Sequence, residues 1–370
     1  RDYMPDDVSA LTSGSYGFYA SQCNGLAYNP NSTYSVPVDS AGADLAAGTY
    51  TFPSPDDLNN IRSVTSTAPT IGTGTFTLNL SGGSSGSYPI GSTVTLYSND
   101  NPTGRYMVGT VTAWNSSTDV ISVNVTATNG SGTLTNPRIG DGDARPFYFT
   151  YSGAQPALAY TYNSSGVITS TTFYQQCNSV VGSSPGSTVF SKVIVTPANI
   201  TQNYRNWYTY YRTRMLMAKS ATSLAFRTLG DRFRVGYTTI SSRYVNGSEF
   251  LDVADFDATQ KSDFYTYLNN ASPGSTTPLR GALGKAGKYY AKRGRLENGN
   301  AQTVDPVQFS CQKNFAILTT DGYWNTGTEV SGTGSDSYGP DRLDNTDVGQ
   351  QDGTAPRPMN DGATALTQTR

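Results

Sequence analysis

Two spacings of apolar residues divide the chain. Between Thr75 and Val125 they alternate with polar ones at period two. The runs are Thr75–Leu80, Thr93–Tyr97, Tyr106–Val111 and Val120–Val125. Clusters rich in Gly, Ser and Asn at 82–86, 99–104 and 115–119 separate them. This pattern predicts four or five strands forming a small antiparallel sandwich or barrel over 66–136.

After about residue 200 the spacing lengthens to three and four. Trp207, Tyr211, Met215, Ala218, Ala221, Ala225 and Leu229 mark one face of a single long helix over 203–229, closed by Gly230. Phe233–Ile240 then reads as a strand, and Ala258–Leu268 as a helix with Phe264 and Leu268 turned inward. Thr277 and Pro278 open a third helix at 278–292, as N-cap and first-turn proline. Its expected buried stripe is Leu279, Ala282, Leu283, Ala286 and Tyr290. Phe315–Leu318 is a short, wholly apolar strand running into Thr319-Thr320-Asp321-Gly322. Helices alternating with apolar strands predict an α/β, doubly wound domain over 201–370, with 233–241 and 314–320 neighbours in a mainly parallel sheet. The intervals 1–65 and 137–200 are rich in loops, with short apolar-aromatic pieces at Pro146–Phe149 and Val193–Val195.

Composition narrows the chemistry. Charged residues make up 14% of the chain and the formal net charge is −2. The first value is too low for disorder driven by charge, and the second gives no basis for binding nucleic acid. Basic residues cluster at Arg205–Arg234 and Lys285–Arg295, and read as solvated faces of helices. Histidine is absent, which removes Ser-His-Asp and Cys-His machinery and every histidine-based zinc site. No pair of carboxylates stands out as an acid and base, so no enzyme activity is expected. Nor does any run approach the ~20 apolar residues of a membrane helix. Three cysteines allow three single bridges. The loop-rich settings of Cys23 and Cys177 favour that pair in an oxidising compartment and leave Cys311 free. Asp341, Asp344, Asp347 and Asp352 lack the spacing of an EF-hand and read as a solvated loop.

In an open parallel sheet, ligands bind where loops converge at the carboxyl ends of strands. Asp321 sits at such an end, and Thr277 opens a helix beside the same edge. A carboxylate and a hydroxyl meeting there suit a hard cation, Mg²⁺ or Ca²⁺. The surrounding blocks are QNYRNWYTYYRTRMLMAKSATSLAFRTLGDRFRVGYTTI, TTPLRGALGKAGKYYAKRG and CQKNFAILTTDGYWN, with weaker ones at YNPNSTY and DGTAPRPMNDG. Together they resemble the N-terminal, von Willebrand factor A-like region of the PilY family of type IV pilus tip proteins.

The resemblance implies a pilus tip adhesin and assembly factor that binds a host or abiotic surface through a metal-ion-dependent adhesion site. Its implied partners are minor pilins and the tip complex. Its implied place is the bacterial surface, reached through the periplasm. The site's usual first loop, Asp-X-Ser-X-Ser, is missing from these residues, as is the first strand. Both are expected upstream of Arg1, in a longer precursor, so metal binding by Thr277 and Asp321 alone should be weak or absent. The stretch GTGTFTLNL to VNVTATNGSGT resembles a β module of phage tail fibres and bacterial surface proteins. That leaves an alternative, a phage-tail-like or surface carbohydrate-binding protein.

Overall fold

The period-two stretch folds as a closed barrel. A computed structural model describes residues 14–81, 87–153, 161–162, 164, 168–170, 176–177, 179–182, 186–242, 244–273 and 278–320. In it, β1 (Asn59–Ser63), β2 (Gly74–Asn79), β3 (Thr93–Tyr97), β4 (Tyr106–Asn115), β5 (Val120–Asn129) and β6 (Arg138–Asp141) form one antiparallel sheet. Its order is β1-β6-β3-β4-β5-β2. The two outer strands meet through a Val64–Leu80 bridge. There the Thr65 amide donates to the Asn79 carbonyl at 2.7 Å and the Ser81 amide to the Ser63 carbonyl at 2.8 Å. Closure removes the exposed edges that an open sheet presents. Leu78, Val94, Leu96, Met107, Ile121 and Val123 fill the interior. Gly109 sits at a register shift between β4 and β5. A Cβ there would lie 2.5 Å from the Asn124 carbonyl oxygen, so the close approach of strands requires glycine.

Two of these strands, β1 and β6, lie outside the interval that alternation marked. The reason is visible in Arg62, which is buried although β1 reads as polar. Its Nε donates to the Ser81 carbonyl at 2.8 Å, its guanidinium pairs with Asp119 at 2.7 Å, and it lies over the Trp114 ring. A paired arginine takes the place of an aliphatic residue, which hydropathy does not register.

Beyond the barrel, β7 (Phe147–Tyr151) pairs antiparallel with β10 (Phe190–Ile194), and β8 (Thr161–Tyr162) with β9 (Ile168–Ser170). Tyr16, Ala20, Phe149 and Phe190 form a small core around a Cys23–Cys177 disulfide whose Cα atoms are 5.9 Å apart. Cys311 is free and exposed.

The C-terminal half is mixed α/β, with corrections to the expected pattern. Two helices replace the single one: α1 (Gln202–Tyr210) and α2 (Arg214–Phe226). Tyr211 leaves the helical conformation, and the Thr213 side chain accepts from the Leu216 amide to start a new helix. Gly230 therefore lies beyond the helix end instead of closing it. A third helix, α3 (Ala258–Asn270), is capped by Asp257 and buries Phe264 and Leu268 as expected.

The fourth, α4 (Leu279–Tyr290), buries Leu279, Ala282, Lys285 and Tyr289. Leu283, expected inward, is 53% exposed. Strands β11 (Arg234–Thr238) and β12 (Phe250–Asp255) pair antiparallel, with no third strand among the described residues. The expected parallel neighbour, 314–320, joins no sheet and lies exposed, Ile317 at 78%. Apolar side chains alone do not make a strand. Its N–H and C=O groups need a partner, and none of the described strands supplies one.

Candidate functional site

Thr277 and Asp321 lie outside the described residues, as do Asp341, Asp344, Asp347 and Asp352. The structure does show what flanks the first two. Pro278 and Leu279, at the start of α4, are buried. Further along that helix, Lys285 is only 9% exposed. Its ammonium donates to Thr238 Oγ1 at 2.7 Å, the Thr239 carbonyl at 3.1 Å and the Ser242 carbonyl at 2.7 Å. Three donors meet three acceptors just past the C-terminal end of β11. None of the three is a charged oxygen. Burial pulls the Lys285 pKa down to about 8, against a smaller upward pull from Glu249. Glu249 itself accepts from Thr239 Oγ1 at 2.9 Å.

The same helix holds β12 by a second polar contact. Tyr289 Oη accepts from the Val253 amide and donates to Asp252 Oδ1, each at 2.9 Å. Burial raises the Tyr289 pKa well above its ordinary range. From the other side, Gln260 of α3 donates through Nε2 to the carbonyls of Val235 at 2.7 Å and Asp252 at 2.6 Å. The β11–β12 ribbon is thus clamped between α3 and α4 by side chains that bond its backbone. Beside the C-terminal end of α4, Tyr290 Oη donates to the Phe315 carbonyl at 3.2 Å.

A second polar clamp joins two of the quoted blocks. Asn203 accepts from the Tyr34 amide at 2.9 Å and donates to the Ser32 carbonyl at 2.7 Å. Asn206 donates to the Tyr34 carbonyl and accepts from the Gly48 amide, both at 2.9 Å. The YNPNSTY segment is therefore bound along α1. Its first residue, Tyr28, packs against Tyr204 and Trp207, and Trp207 Nε1 donates to the Leu26 carbonyl at 2.9 Å. Trp207 and Tyr211 are packing residues here, as their helical spacing predicts.

Sequence reasoning missed Lys285, Tyr289, Gln260 and the two asparagines. For α4 the signal was present. Positions 279, 282, 285 and 289 follow helical spacing as well as the stripe that was chosen, and the charge of lysine hid it. Among the described residues, no group of three or more His, Cys, Asp and Glu could hold a metal. No helix there is long and apolar enough to cross a membrane.

This arrangement can be compared with known proteins. The chain is 29% identical over 250 residues to the type IV pilus biogenesis factor PilY1 of Pseudomonas aeruginosa strain PAK. That alignment covers 65% of this chain and 18% of the relative. Against PilY1 of strain PAO1 it is 32% identical over 181 residues, covering 45% and 14%. Over these stretches the chain is homologous to PilY1. It spans less than a fifth of the length of either relative. No family model and no solved structure matches the chain.

Proposed function

We propose that this chain is part of a type IV pilus biogenesis factor that acts at the pilus tip, where it also serves as an adhesin. The partial homology to PilY1 carries this reading. Two features are in keeping with it. The Cys23–Cys177 bridge suits an oxidising, extracytoplasmic setting. The blocks that resemble the pilus family are bonded to one another through Asn203 and Asn206.

The domain reading goes further. Among the described residues, β11 has a single strand neighbour and Phe315–Leu318 has none. One additional apolar strand set between them would produce the larger sheet of a von Willebrand factor A-like domain. α4, with 12 residues, is ~18 Å long at ~1.5 Å per residue. Six extended steps from Phe315 to Asp321 reach ~20 Å at ~3.3 Å per step. Tyr290 ties Phe315 to the far end of α4. A chain running back along that helix has the reach to bring Asp321 beside Thr277, where a divalent cation would sit between them and an adhesive ligand.

The carbohydrate-binding alternative finds less support. Phe76, Tyr88, Tyr97, Tyr106 and Trp114, the barrel's aromatic residues, are all buried or half-buried in its cores, which leaves no exposed ring for a sugar to stack on. Deletion of the gene tests the proposal. Surface pili and adherence should both fall, while cells carrying Thr277→Ala should keep pili and lose adherence. Normal piliation and normal adherence in the deletion strain would refute it.

A further inference from the structure

We infer that residues 59–141 are an exchangeable cassette, and that the Cys23–Cys177 disulfide is a clasp acting on the surrounding frame and not on the barrel. Three independent observations converge. First, the cassette begins and ends at one place: β1 and β6 are antiparallel neighbours, with Asn59 opposite Asp141. Paired residues of this kind have Cα atoms about 5 Å apart, a gap that a turn of a few residues spans. Second, the barrel is complete in itself. The Val64–Leu80 bridge closes it, so it lends no strand edge to the frame. Its interior cluster shares no residue with the clusters around the disulfide, α1 or α3. The frame approaches it where Phe52, Pro53 and Pro55 line a small cavity together with Thr95 and Tyr106 of the barrel.

Third, both halves of the clasp lie in the frame. Cys23 precedes the cassette and Cys177 follows it, 154 residues later. They meet within a core of Tyr16, Ala20, Phe149 and Phe190. Gly17 fits this contact tightly, since a Cβ there would lie 2.5 Å from the Cys177 carbonyl oxygen. The bridge therefore fastens 14–24 to the segment at Cys177, in the core shared with Phe149 of β7 and Phe190 of β10, whatever occupies the loop between them. A different domain with adjacent ends could be displayed on the same frame, and a change of redox state would loosen the frame without reaching the barrel.

Hydrogen exchange on the full chain tests this, comparing the protein with its Cys23→Ser/Cys177→Ser variant. Amides of β7 and β10 should exchange more than about tenfold faster in the variant, while β2 to β5 keep their protection. Equal loss of protection in β2 to β5 would overturn the inference. A second variant replaces 59–141 by a four-residue Gly/Ser turn. Non-reducing peptide mapping should find its Cys23–Cys177 bridge formed and exchange should show α1 and α3 still protected. A scrambled bridge, or helices without protection, would overturn it equally.

Discussion

Replacing Lys285 by methionine should remove a specific pH dependence of stability. Met keeps the length and apolar stem of the side chain and deletes its charge. In the folded protein the ammonium titrates at about 8, against an ordinary 10.5. The unfolded chain therefore holds this proton over a range where the folded chain has released it. Stability must then rise with pH between about 8 and 10.5. At ~1.36 kcal/mol per pH unit the full gap amounts to about 3 kcal/mol, and roughly 1 kcal/mol of it falls between pH 8.5 and 9.5. Well below pH 8, under about pH 7, the group contributes no slope, because both states are protonated.

Buried tyrosines act with the opposite sign. The pKa values of Tyr50 and Tyr88 are raised to about 12, so the unfolded chain ionises first and stability falls at high pH. That contribution is common to both proteins and cancels in their difference. Urea unfolding of wild type and Lys285→Met at pH 7.5, 8.5 and 9.5 measures it. Relative to the variant, wild type should gain about 1 kcal/mol over the last step and a smaller amount, roughly half to two-thirds of that, over the first. A difference that is flat from 7.5 to 9.5, or that falls, would show that Lys285 is not a desolvated cation.

Two further outcomes follow from named contacts. Gly48→Ala places a Cβ 2.5 Å from the Arg205 carbonyl oxygen, so the 45–50 segment must lift off α1. Its unfolding free energy should drop by about 1–3 kcal/mol in urea titration, whereas an unchanged midpoint would mean that the segment does not pack there. For the proposed cation site, calorimetry on the full-length protein should show Mg²⁺ binding that Asp321→Ala abolishes. Binding unaffected by that substitution would remove Asp321 from the site.

What the sequence revealed depended on how strictly burial follows spacing. Strands β2 to β5 were legible because a barrel forces alternation, one face inward and one outward. β1 escaped because its inward residue is the paired Arg62, and no periodicity announces a buried guanidinium. The inward face of α3 was legible through Phe264 and Leu268. The break between α1 and α2 was not, since Thr213 acts through a hydrogen bond to the Leu216 amide, which hydropathy spacing does not register. On α4 the buried stripe was misread by one position after Ala282, for want of any apolar signal at Lys285. The apolar run at 315–318 was read correctly as apolar but pairs with no strand among the described residues, because hydropathy records what a segment would bury and not whether a partner is at hand. Thr277 and Asp321 fall outside the described residues. Their flanks, at Pro278 and near Tyr290, show only the elements they adjoin.

The central claim, association with the pilus tip, is open to one direct measurement. Pili sheared from cells that produce the full-length protein should be labelled with gold-conjugated antibody against this chain and imaged. The account predicts label in the sheared pilus fraction, concentrated at filament ends. Label confined to the cell body, with filaments bare along their length and at their tips, would contradict it.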